Sequence, residues 1–301
     1  ASSTATVSRS KSRAAAGSPA IDPGSIPCSV GTDATVRKGG GPWVGNGPRR
    51  TGTMASTMEL LLALGLLVAT VSAIRGVWSP CGLSMLSSIT PMTEAGRGNR
   101  FSVTARWFVL GGIVGGLSLG VLAAGGAALL AQADLSDHIR WGVGAVVAIA
   151  TASIDLGVFG IELPIFKRQV NDAWLRRYRG WVYGAGFGWQ IGFGVATYIM
   201  TAGVFLTIGL AILGASPASA VAIGAMFGLA RGSAVFIGRS GTTPAALAAV
   251  HAKLDALGPT ARVAALVVQL VAAVTLAGAA WGLGPAALVA VASAAAVVVT
   301  T

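Results

Sequence analysis

One cysteine of this sequence lies inside an apolar stretch, and it directly follows a proline: Val77-Trp78-Ser79-Pro80-Cys81-Gly82-Leu83, with Pro91 downstream. Proline removes a backbone donor and clashes with the preceding turn, so a helix entering this stretch must break near Ser79, and Cys81 then stands at the start of a new helix. There the helix dipole favours the thiolate, the nucleophile of thiol-disulfide exchange. The alternative role is a buried cysteine packed as a small apolar residue. Two charges are also out of place: Asp155 in Ala152-Ser153-Ile154-Asp155-Leu156-Gly157, and Arg231 in Gly228-Leu229-Ala230-Arg231-Gly232-Ser233. Burying either alone is costly, so the economical expectation is that they pair, with Arg75 as a second cation for Asp155. Gln190 and Thr201, with Ser84, Ser87, Ser88 and Thr90, supply uncharged donors and acceptors for a cavity. Together Arg75, Asp155, Gln190 and Arg231 would mark a proton or solute path. The structural alternatives are that Arg231 snorkels, Asp155 bonds between helices, and the hydroxyls bond their own backbones.

Other chemistries lack their residues. His138 and His251 fall in separate loops with no Cys or His at ligand spacing, so no metal site is expected. There is no phosphate-binding loop, no nucleophile elbow and no dinucleotide fingerprint. Hydrolysis, ATP-driven transport and haem ligation within the chain are therefore not expected, and no cofactor is expected.

The elements that would position these residues are membrane spans. Hydrophobic residues make up 54% of the 301 positions and charged residues 10%, and mean hydropathy is +0.74, where a soluble domain carries roughly 25% charged residues. The fold class is an all-α polytopic membrane protein in a lipid bilayer. Its net charge of +11 sits in short clusters between apolar runs, which argues for topology-setting loops and against nucleic acid. With 43 glycines, close helix approach is expected at Gly111-Gly112 and Gly115-Gly116.

In chain order, residues 1 to 53 are rich in Ser, Gly, Pro and Arg and read as a disordered basic tail. Met54 and Met58 are alternative translation starts, which would leave out Cys28. The transmembrane domain covers 54 to 283. Its first apolar segment runs from Glu59 through Ile74 and past Arg75 to Pro91; further spans are Phe108 to Ala131, Trp141 to Leu163, the long Trp181 to Gly214, Pro217 to Gly238 and Val263 to Gly282. A signal peptide over Glu59 to Ala73 is the competing reading of the first. Pro244 to Leu257 reads as an amphipathic surface helix. The apolar C-terminal segment, 284 to 301, adds a seventh span from Pro285 or lies along the interface. Trp107, Trp141, Trp174 and Trp181 read as interfacial anchors. Glu162 marks a membrane boundary.

Lys and Arg number three around Thr93 to Trp107, one at Arg140, five within Lys167 to Arg179 and three within Arg239 to Arg262. The alternation puts the basic loops in the cytoplasm and Glu59 outside. The first and fourth segments are too long for one crossing, and each precedes two ordinary spans. Six spans then form two inverted three-helix repeats with broken first and fourth helices, in which Trp78 matches Trp189 and Thr90 matches Thr201.

The run Trp78-Ser79-Pro80-Cys81-Gly82-Leu83, with Pro91, the six-span plan and the outside N-terminus, resembles the membrane domain of the DsbD/CcdA family of transmembrane thiol-disulfide carriers of cytochrome c maturation. The resemblance implies a bacterial plasma (inner) membrane protein in which Cys81 is one of two intramembrane cysteines relaying electrons from a thioredoxin-like protein. At the second position this chain has Gly192, preceded by Ile191, so relay requires a partner thiol or a second copy of the chain, a homo-oligomer. The function so implied is the movement of reducing equivalents through Cys81, as a thiol-disulfide oxidoreductase component. The alternative is a secondary transporter or exporter of a small solute using Asp155 and Arg231.

Overall fold

The computed structural model describes residues 50–158, 163 and 173–300, with side chains from 57 to 294 except 176 and 293, and its described residues belong to the unit Pro48–Thr301. Cys28, Glu162 and most of the basic tail lie outside the described residues. The helices are α1 (Arg50–Arg75), α2 (Pro80–Ser88), α3 (Pro91–Gly96), α4 (Phe101–Gln132), α5 (Asp137–Leu156), α6 (Trp174–Arg177), α7 (Gly180–Phe193), α8 (Gly203–Leu213), α9 (Pro217–Ser233), α10 (Pro244–Trp281) and α11 (Leu283–Thr300). Short 3-10 turns follow α1 (Gly76–Trp78) and α9 (Ala234–Ser240).

The expected break in the first segment is present, and the two prolines start the helices that follow it. Ser79 is extended (φ −69°, ψ 153°) and its side chain accepts from the Gly82 amide at 3.1 Å, with Pro80 in the first turn of α2. Thr90 and Thr93 form a capping box at α3, again with Pro91 in the first turn. At these positions the missing proline N–H has no intrahelical role, so the break is made without loss of a helix hydrogen bond.

The fourth segment is broken too. α7 ends at Gly194, whose φ of 75° suits glycine, and helix resumes at Gly203. The break does not align with its counterpart: Trp78 directly precedes the first break, whereas Trp189 lies within α7.

α4 is the central post. At about 1.5 Å per residue its 32 residues run about 48 Å. One face meets α9 glycine to glycine: a Cβ on Gly116 would lie 2.2 Å from the Gly224 carbonyl oxygen, and one on Gly228 would lie 2.2 Å from that of Gly112. The neighbouring face meets α7, where a Cβ on Gly111 would lie 2.1 Å from the Ala185 oxygen and one on Gly192 2.1 Å from the Gly112 oxygen. Backbones approach this closely only without side chains between them, as expected for the paired glycines.

Five stretches are long and apolar enough to cross a membrane: Thr57–Trp78, Phe101–Gln132, Asp137–Leu156, Pro217–Ser240 and Pro244–Trp281; α7 and α8 are shorter. The chain is an all-α, multi-pass membrane protein. Across the halves α4 packs on α9, α5 on α10 and α1 on α8, while α1 against α10 is matched by α8 against α5.

Three sequence expectations need correction. Helix begins at Arg50, inside the stretch assigned to the tail. α5 stops at Leu156, because Gly157 takes the left-handed conformation (φ 78°), so Asp155 lies at a helix end and not in mid-span. Pro244 to Leu257 is not a separate surface helix: α10 continues through Pro259 into the span, and Leu254 is buried against Leu86 and Ile89. The C-terminal segment is helical and packs on α10, leaving Leu283, Leu288 and Val291 strongly exposed.

Candidate functional site

The buried polar groups collect at the two helix breaks. Asp155, brought by the end of α5, meets the start of α8. Its carboxylate accepts from the Thr201 hydroxyl, from the Ala202 amide at 2.7 Å and from Gln269 Nε2 of α10 at 2.7 Å. Ala202 is the residue from which α8 starts, so a negative charge sits on amides that a helix leaves unpaired at its N-terminus. Thr201 Oγ1 also accepts from the Gly203 amide at 3.1 Å. Arg75 lies within the electrostatic reach of Asp155, as does Arg262, whose Nη2 donates to the Asp155 backbone carbonyl at 3.3 Å.

Arg231 is 4% exposed and occupies the other break. Its Nε donates to the Ile191 carbonyl at 3.2 Å and its Nη1 to the Ala73 carbonyl at 3.4 Å. These carbonyls belong to the last turns of α7 and α1, the negative ends of two helix dipoles. Gly76 makes the room: a Cβ there would lie 1.1 Å from Nη1 and 2.3 Å from Cζ. Cys81 is buried and within electrostatic reach of this guanidinium.

Asp155 and Arg231 therefore do not pair with each other. Among the described residues, ion pairs join only Arg97 to Glu94 and Arg140 to Asp137. Arg231 is instead compensated by the C-terminal ends of α1 and α7, and Asp155 by the N-terminal end of α8 together with the Thr201 and Gln269 side chains. Gln190 lies half-exposed on α7 and forms no hydrogen bond with either group.

Structural duties also explain the other residues of the run around Cys81. Trp78 Nε1 donates to the Leu254 carbonyl at 2.8 Å, and Arg75 lies over its ring at 6.0 Å. Ser79 and Pro80 restart the helix. A Cβ on Gly82 would lie 2.2 Å from the Val77 carbonyl oxygen, so only glycine fits the tight return.

A third cluster was not singled out from sequence. Glu94, fully buried on α3, accepts from Tyr183 Oη at 2.6 Å, Thr104 Oγ1 at 2.6 Å and Arg97 Nη1 at 2.8 Å. Asn99 Nδ2 donates to Tyr183 Oη at 3.3 Å. The cluster ties the hairpin after the first break to α4 and α7. Its only sequence signal was an acid next to Thr90-Pro91, which equally describes a surface loop. Gln269, also unflagged, is 1% exposed in the middle of an apolar run.

Fold and site thus define a class: a multi-pass helical membrane protein with two broken segments held by buried charges. The chain is similar to the methylamine utilization protein MauF of Methylophilus methylotrophus, 34% identical over 193 residues, which cover 59% of this chain and 64% of that protein. It is also similar to MauF of Paracoccus versutus, 30% identical over 178 residues (58% and 63%), and to MauF of Paracoccus denitrificans, 28% identical over 180 residues (54% and 59%). The chain spans less than two thirds of the length of these relatives. No protein-family model and no solved structure matches it.

These relatives correct the resemblance drawn from sequence. They carry the MauF name and not that of the DsbD/CcdA carriers, so assignment to that family, to thiol-disulfide exchange and to cytochrome c biogenesis is overturned, and with it the assignment of function, including solute export as its alternative. The physical reason is that Trp78, Ser79, Pro80 and Gly82 are what a helix needs to break and restart against a neighbour, whatever chemistry surrounds it. The thioredoxin-like partner rests on that resemblance alone.

Proposed function

We propose that the protein is a membrane-embedded accessory component of methylamine utilization, in which Asp155 and Arg231 hold the two broken segments and Cys81 is a packing residue. The observation that carries this is the 30–34% identity, over 178–193 residues, to two proteins named for methylamine utilization. The site geometry supports the structural part, since both charges are already compensated by helix ends. The Lys and Arg distribution and the bacterial relatives support a plasma-membrane location with the loops of Arg97 to Arg106 and Arg177 to Arg179 cytoplasmic.

The test is complementation. A Methylophilus methylotrophus strain lacking its own MauF receives this chain, and growth is measured on methylamine and on a substrate that does not pass through it. Restored growth on methylamine alone is expected, and Cys81→Ser should restore it equally. Failure to complement by a chain shown to be inserted in the membrane overturns the assignment; failure of Cys81→Ser alone overturns the packing role of the thiol.

A further inference from the structure

We propose that a groove between α4 and α7 binds one acyl chain of an anionic phospholipid, whose phosphate is held by Arg106 and Arg179. The two helices run parallel: a Cβ on Gly184 would touch the Thr104 backbone, one on Gly188 the Phe108 backbone, and one on Gly192 the Gly112 backbone. Their N-terminal ends therefore lie together. Beside this contact a groove of about 340 Å³ opens on the outer surface, bounded by Trp107, Leu110 and Val114 of α4 and by Ala185, Gly186 and Trp189 of α7. It is apolar throughout, with Leu110 and Val114 about half exposed and the rings of Trp107 and Trp189 forming its walls.

The basic end is what selects an occupant. Arg106 precedes Leu110 by one helical turn, and Arg179 precedes Gly186 by two, so each lies on the stripe that lines the groove. Both are exposed, as are Arg100, the cap of α4, and Arg177, the last residue of α6, just before α7. Among the described residues none of the four has a carboxylate partner. Trp107 and Trp181 meet at this level, ring centroids 5.7 Å apart, and such exposed tryptophans sit at headgroup depth in a bilayer. An apolar track leading from unpaired arginines at headgroup depth matches an anionic phosphate carrying an acyl chain, whereas a choline headgroup would set a second cation among them.

The full chain in detergent, mixed with phosphatidylglycerol or with phosphatidylcholine of the same acyl chains, is examined by native mass spectrometry. Phosphatidylglycerol adducts should survive activation that strips phosphatidylcholine. Arg106→Ala with Arg179→Ala, both at exposed positions, should lower the retained adduct roughly tenfold. Val114→Trp, which fills the groove and leaves the arginines, should lower it comparably, and Lys253→Ala on α10 should not. Equal retention of the two lipids, or unchanged retention in either the arginine or the Val114 variant, overturns the proposal. So does glycerol phosphate competing as well as the whole lipid, which would assign the arginines to a free phosphate. Chain dimers that weaken with Val114→Trp would instead give the groove to a second copy.

Discussion

Gly76→Ala is a one-carbon change that should unseat a deeply buried charge, the Arg231 guanidinium. The new Cβ would lie 1.1 Å from Arg231 Nη1 and 2.3 Å from Cζ, so the guanidinium must leave its seat. Leaving breaks its hydrogen bonds to the Ala73 and Ile191 carbonyls, each worth about 1.5–3 kcal/mol for a charged donor. Because Arg231 is 4% exposed, no water replaces them, and stranding a buried charge costs about 3–5 kcal/mol. Arg231→Met removes the charge with its bonds. Ile191 keeps the Gly194 amide at 3.2 Å, so the loss there is about 1–3 kcal/mol. In the Arg231→Met background Gly76→Ala meets only a flexible thioether and should cost under about 1 kcal/mol. The double-mutant cycle should thus show a coupling of about 2 kcal/mol or more. Unfolding in mixed dodecylmaltoside and dodecyl sulfate micelles, followed by far-ultraviolet circular dichroism, measures all four proteins. Additive losses, or Gly76→Ala within about 0.5 kcal/mol of the parent, would refute the seating of Arg231 on Gly76.

The other clusters make similar demands. Gly228→Ala pushes a Cβ to 2.2 Å from the Gly112 carbonyl and should cost about 2–4 kcal/mol by separating α4 from α9; Gly125→Ala, with nothing within 4 Å, should be neutral or stabilising by about 0.4–1 kcal/mol in the same unfolding assay. Tyr183→Phe removes a bond to the fully buried Glu94 carboxylate and should lose about 1.5–3 kcal/mol in that assay; no loss would place the phenol outside the network. Asp155→Ala leaves the Ala202 amide without its acceptor and removes the shortest bond of Gln269 Nε2, which keeps the longer ones to Thr201 Oγ1 and the Ala265 carbonyl; it should cost about 2–5 kcal/mol, with faster amide hydrogen exchange confined to the first turn of α8.

Much of the fold was legible because its rules are local. Apolar length identifies the crossings, and prolines at 80 and 91 announce the first break. The second break had no proline and was inferred only from the length of Trp181 to Gly214; its glycine at 194 looks like any other in a glycine-rich chain. The helix through Pro259 was misjudged because Pro244 to Leu257 is polar enough for a surface, yet Leu254 is buried under the hairpin of the first break.

Sequence by itself determined the class of fold, the break at Ser79, the glycine faces of α4, and the presence of charges that had to be compensated. It did not determine by what. Asp155 and Arg231 have opposite signs and similar depth, which made a pair the simplest expectation; only the tertiary structure decided that Asp155 meets the start of α8 and that Arg231 meets the ends of α1 and α7. Glu94 shows the same division, since its burial depends on a phenol 89 positions away. The physical reason is range: hydropathy and proline geometry act within a turn or two of chain, whereas a buried charge is satisfied by whatever dipoles the packing of distant helices brings within about 3 Å.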